Sequence, residues 1–126
     1  MTDEKVSPLA PAAFPQLPAV PGVELSSIAA GLRYQQRADL MLATFASPAA
    51  VAGVFTKSRC ASAPVDWCRE VLPRGSARAL VCNAGNANAF TGRHGETATR
   101  ATADTIAGVL GIEPEDVYLA STGVIG

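Results

Sequence analysis

The chain has 126 residues, 48% of them hydrophobic, with ten basic and eleven acidic side chains and a net charge of −1, enough for one compact domain or a large piece of one and too apolar for a wholly disordered chain. Without a basic stripe it is a poor nucleic-acid binder, no apolar run approaches the ~20 residues of a membrane helix, and Met1 to Val6 lacks the basic start and apolar stretch of a secretory signal. Much of the apolar share is alanine, with four Phe, two Tyr and one Trp, so the core is expected to be tight and thin, and in need of a partner chain or further sequence.

Residues 1–21 hold Pro8, Pro11, Pro15, Pro18 and Pro21, each fixing φ and removing an amide donor, and read as an extended lead-in. The folded region, 22–126, opens with a strand over Val23 to Ala30 and a polar turn over Gly31 to Arg37. Asp39 to Ala46 and Ala49 to Thr56 are apolar runs of strand length separated by Ser47-Pro48, which predicts an antiparallel pair. Ala63 to Leu72 reads as a helix with Val65, Cys68 and Leu72 inward, Ser62 as N-cap and Pro64 in the first turn, ended by Pro73 and Gly75. Ala77 to Asn83 is again strand-like, and a Gly/Asn-rich loop follows. A second helix runs from Gly95 to Leu110 through Ala98, Thr102, Ile106, Val109 and Leu110, with Gly111 just past its end. Val117 to Ala120 is a short strand leading into Ser121-Thr122-Gly123. No repeat is visible, and the fold class is α/β or α+β with a mixed sheet. The chain stops at Gly126 inside the apolar TGVIG, which reads as a cut, because domain ends are more often polar.

Five segments carry candidate chemistry. Asn83, Asn86 and Asn88 can donate to a carbonyl and accept from an amine, or satisfy their own loop through Asx turns. Ser121-Thr122-Gly123 places a hydroxyl beside a glycine amide, the two donors of an oxyanion hole, and is equally an ordinary turn. Thr56-Lys57-Ser58-Arg59 is either a carboxylate-binding set or a solvated loop. His94 reads as a surface histidine. Cys60, Cys68 and Cys82 have no C-x-x-C spacing and read as reduced, mostly buried thiols of a cytoplasmic protein, with packing favoured over nucleophilic catalysis at Cys82. No metal site is expected from them.

Taken together, AVAGVFTKSRC-ASAPVDWC, then ALVCNAGNANAFTG, then a helix, then VYLASTGVIG resembles the ornithine acetyltransferase family from about Gly22 to Gly126. The resemblance implies a layered α-β-β-α fold, present here in part. It implies a precursor that cuts itself at an Ala-Thr bond into α and β chains, with this chain the N-terminal part of the α chain. The new N-terminal threonine of the β chain is then the nucleophile. It takes acetyl from N-acetylornithine as an acyl-enzyme and passes it to glutamate in a ping-pong cycle. The family's oxyanion-hole pair falls on Thr122, through its hydroxyl, and Gly123, through its backbone amide. Asn83, Asn86 and Asn88 are read as substrate-binding residues or as residues that brace the loop beside the site. No bound cofactor is implied, although some members take acetyl-CoA as donor. The partners implied are the β chain or downstream portion, in an α/β heterotetramer or larger assembly, with neither nucleic acid nor membrane. The nucleophile lies beyond this chain, so the 126 residues are expected to be inactive alone. An aminopeptidase-like hydrolase of the same fold, or an inactive truncated remnant, are the alternatives.

Overall fold

The computed structural model describes residues 7–13, 15–33 and 35–126. The leader-free start read from Met1 to Val6, and Tyr34 of the predicted turn, lie outside them. Among the described residues, regular structure begins at β1 (Val23–Ile28) and continues through β2 (Leu40–Ala50), α1 (Ala63–Val71), β3 (Ser76–Asn86), α2 (Gly92–Leu110) and β4 (Val117–Val124). Single 3-10 turns, Leu72–Arg74 and Pro114–Asp116, follow α1 and precede β4. The strands form one mixed sheet in the order β1-β2-β3-β4, antiparallel except for the parallel β3–β4 pair. That pair is joined through α2 as a β-α-β unit. The α/β class with a mixed sheet is therefore as read. Of a four-layer arrangement, the described residues supply one sheet and its helices.

Two predicted strands are one. Ala49 to Thr56 does not form a hairpin with Asp39 to Ala46; β2 runs through Ser47-Pro48 and both halves pair with β3. Thr44 faces Ala79 while Ala49 faces Ala77, so the residues between them bulge out of the ladder. A proline without an N–H fits such a bulge, where no ladder bond is needed. The carbonyl of Phe45, freed by the bulge, accepts from Arg78 Nε at 3.0 Å. Beyond Ala50 the chain leaves the sheet, and Val54 is 97% exposed.

Both helices bury a different stripe from the one their strongest apolar residues suggest. Helix α1 turns Pro64, Trp67, Cys68 and Val71 inward, with Leu72 just past its end packed against the same core and Val65 only half-buried. It lies along the open edge of β4. Trp67 Nε1 donates to Val117 O at 2.8 Å, and Cys68 Sγ contacts both Leu119 O (3.2 Å) and Leu119 N (3.3 Å). Unpaired strand edges invite mispairing, and α1 caps this one. Replacing Trp67 by Phe removes the indole N–H, which leaves a buried carbonyl unpaired and a small void where the five-membered ring packed. A loss of about 1–3 kcal/mol is expected, read as a lower urea midpoint with unchanged slope.

Helix α2 starts three residues before the predicted Gly95. It buries Gly95, Thr99, Ala103 and Ala107, whereas Ala98, Thr102 and Val109 are exposed. Ala103 and Ala107 of that small-residue stripe join the core that holds Ala77, Ala79 and Val81 of β3 and Val117 and Leu119 of β4, with Ile106 and Leu110 packed at the margin, while Gly95 and Thr99 meet Asn88. The core is thin in the way the alanine content suggests; Ala79 and Ala103 are fully buried. Gly111 closes α2.

The thiols divide. Cys68 is buried and Cys82 half-buried, and burial pushes both thiols above their ordinary range; at Cys68 the Leu119 amide opposes that shift and nearby Cys82 adds to it. Both are therefore poor nucleophiles at neutral pH. Cys60, read with them as mostly buried, is exposed instead. Among the described residues, no helix is long and apolar enough to cross a membrane.

Candidate active site

The candidate residues converge on the parallel β3–β4 ladder. Strand β3 continues past the predicted end at Asn83 to Asn86, and β4 continues past Ala120 to Val124. Ser121, Thr122 and Gly123 are thus in the strand rather than in a turn at its end, facing Asn83, Ala84 and Gly85. Each strand is long because the other is there to pair with it, a tertiary effect that local apolar patterning does not carry.

Alternation along the strands then separates the two sets of candidates. Asn83 and Ser121 share the face of Val81 and Leu119, against which α2 packs, whereas Thr122 and Ala84 lie on the opposite face. Thr122 is exposed, and its hydroxyl makes no hydrogen bond among the described residues. Gly123 has φ +132°, and a Cβ there would lie 2.3 Å from the carbonyl carbon of Gly85. Only glycine allows that approach.

The three asparagines are engaged with the protein itself. Ser121 Oγ donates to Asn83 Oδ1, and Asn83 Nδ2 donates to Asn86 O at 3.0 Å. Asn86 Oδ1 accepts the amide of Asn88 at 2.7 Å. Asn88 Nδ2 donates to Gly95 O (3.2 Å) and Thr99 Oγ1 (3.0 Å), and its Oδ1 accepts the Thr91 hydroxyl at 2.9 Å. Its own carbonyl accepts the amide of Ala63, at the start of α1. Asn88 therefore joins β3 to both helices. The cavity beside this network, about 390 Å³, is walled by Leu32, Leu40, Asn83, Asn88, Thr99 and Ser121. Asn88→Ala would strand the Thr99 and Thr91 hydroxyls and leave a non-glycine residue at φ +50° without an amide to favour it. We expect a loss of about 2–4 kcal/mol, seen as a lowered melting temperature and faster amide exchange in the first turns of α2.

The other candidates are peripheral. Thr56 to Arg59 is an exposed loop, with Thr56 O accepting from Arg69 Nη2 at 3.1 Å. His94 is exposed in the first turn of α2.

One residue went unread. Asp39, 3% exposed, accepts the amides of Ala30 and Leu32 on its two carboxylate oxygens, both at 2.7 Å. Burial pushes its pKa up, but the amides of Ala30, Leu32, Arg33 and Gly31 outweigh it and hold the carboxyl below its ordinary value of 3.8. A lone Asp directly before an apolar run was the available signal. Because the folded value is depressed, the stability from Asp39 is complete above the unfolded value and is lost as pH falls through the folded one. The stability difference between the protein and Asp39→Asn should therefore be constant at neutral pH and shrink only in acid below the ordinary carboxylate range, as urea titrations at a series of pH values will show.

Comparison with known proteins matches this geometry to one family. The ArgJ family model matches residues 24–126. The Arginine biosynthesis bifunctional protein ArgJ of Rhizobium meliloti is 56% identical over 121 residues, which is 96% of this chain and 29% of that protein. Its counterpart in Gluconobacter oxydans is 57% identical over 121 residues, 96% of this chain and 28% of that one. The chain thus spans under a third of the length of these relatives. Among solved structures, ornithine acetyltransferase from Mycobacterium tuberculosis, complexed with ornithine, matches with a TM-score of 0.80 at 38% identity, over 84% of this chain and 58% of that one. ArgJ of Bacillus halodurans matches with a TM-score of 0.80 at 31% identity, over 84% and 56%. With its family model, its relatives and its fold in agreement, the chain belongs to the ArgJ family.

Proposed function

We propose that this chain is the oxyanion-hole-bearing part of an acetyltransferase that moves acetyl from N-acetylornithine to glutamate in arginine biosynthesis. The observation that carries the reading is the pairing of Thr122, an exposed strand residue with an unengaged hydroxyl, and Gly123, whose lack of a side chain brings β4 against Gly85. Preorganised donors are effective because they need no rearrangement as charge develops. Asn83, on the other face, braces the ladder together with Asn86 and Asn88, and none of the three touches substrate.

In this reading the threonine nucleophile is supplied by residues outside the 126, after cleavage into α and β chains. Its hydroxyl attacks the acetyl carbonyl of N-acetylornithine, and the tetrahedral oxyanion is held by the Thr122 hydroxyl and the Gly123 amide. The C–N bond then breaks, the ornithine amine leaves with a proton, and an acyl ester remains. The glutamate amine attacks that ester through the same oxyanion position and leaves as N-acetylglutamate, restoring the hydroxyl. Acetyl-CoA is a further acyl donor that the same site could accept. An α/β assembly in the cytoplasm completes the proposal.

The test joins this chain in frame to the rest of the Rhizobium meliloti relative and supplies N-acetylornithine and glutamate. Equal yields of ornithine and N-acetylglutamate are expected by mass spectrometry. Ornithine with free acetate, release of amino acids from peptides, or no turnover of either class would each overturn it.

A further inference from the structure

We propose that Asp39 is a positioning residue for the Thr122–Gly123 pair, acting through the Ala30–Arg33 turn and Gly85. The inference rests on the oxyanion-hole reading of Thr122 and Gly123.

Asp39 is bonded on three sides. Its carboxylate holds the amides of Ala30 and Leu32, its own amide donates to Ile28 O at 3.1 Å, and its carbonyl accepts the amide of Ala84 at 2.8 Å. Ala84 is the β3 residue facing Thr122. The turn that the carboxylate holds ends in Arg33, which lies on the backbone of Gly85: a Cβ on Gly85 would be 2.7 Å from the Arg33 Cβ. Gly85 in turn faces Gly123, where a Cβ would be 2.3 Å from the Gly85 carbonyl carbon. Arg33, Gly85 and Gly123 therefore stack with no side chain at either glycine to absorb a shift. A donor must stand close to the developing oxyanion to be effective, and a displacement of about 1 Å can cost up to about a hundredfold in rate. A carboxylate suits the task because each oxygen accepts one amide. An asparagine offers one acceptor and turns an N–H group toward the other amide.

The fused enzyme tests this with Asp39→Asn and Arg33→Gly. Asp39→Asn should lower kcat about tenfold, with KM for both substrates within about twofold and an unchanged circular dichroism spectrum. Arg33→Gly keeps the carboxylate and its two amides and removes the side chain that lies on Gly85, so it should lower kcat about threefold. The deciding readout is the combination with Thr122→Ala. If Asp39 acts through the oxyanion hole, Asp39→Asn lowers kcat much less in that background than in the parent. Should Asp39→Asn fail to fold, Arg33→Gly and its double variant give the same comparison. Undiminished effects in the Thr122→Ala background, or full kcat in both single variants while Thr122→Ala is crippled, overturn the positioning role alone. A Thr122→Ala enzyme with full kcat overturns the oxyanion-hole reading instead.

Discussion

Gly123→Ala is expected to cost about 3–5 kcal/mol of stability. Two effects add. The new Cβ would meet the Gly85 carbonyl carbon at 2.3 Å, the Gly85 oxygen at 2.6 Å and the Asn86 nitrogen at 2.7 Å, all main-chain atoms that can move only by opening the β3–β4 ladder. The backbone at φ +132° is also a conformation that side-chain-bearing residues rarely adopt. Relief of the clash would pull β4 away from β3 where Ser121 and Thr122 are paired, so activity should disappear along with stability. Urea denaturation followed by circular dichroism measures the first effect. A midpoint within error of the parent protein would show that β4 does not approach β3 in this way.

How much of this was legible in the sequence depends on which interactions set each element. The α1 boundaries were readable because Ser62, Pro64 and Gly75 are local signals, and α2 was readable as a helix. Its buried face was not. Periodicity weighs Ile106, Val109 and Leu110 heavily, whereas the face that packs is Gly95, Thr99, Ala103 and Ala107, chosen for closeness rather than for hydrophobicity. Strand β2 was divided at Pro48 because proline ordinarily ends a strand. Its continuation depends on Arg78 and on the β3 register, neither of which is local.

The site followed the same rule. Thr122 and Gly123 were singled out through their motif, and motif reading cannot tell a strand from a turn; the β3 partner decides that. The asparagines carry two readings from sequence alone, substrate contact or bonding within their own loop. The structure gives all three an intramolecular engagement, and the alternation of strand faces puts Asn83 behind the sheet from Thr122. Asp39 was passed over because its role is written in amides nine and seven residues upstream, and amides have no sequence signature.

Steady-state acetyl transfer by Thr122→Ala in the fused enzyme tests the oxyanion hole itself. The removed hydroxyl is exposed and makes no hydrogen bond among the described residues, so stability should stay within about 0.5 kcal/mol of the parent. A donor that acts only as the oxyanion forms contributes to the transition state and little to substrate binding. Its loss should therefore lower kcat by about a hundred- to a thousandfold and leave KM for N-acetylornithine and glutamate nearly unchanged. That combination, intact fold with crippled kcat, is the predicted result. A folded Thr122→Ala enzyme that transfers acetyl at the parent rate would show that the Thr122 hydroxyl does not hold the oxyanion.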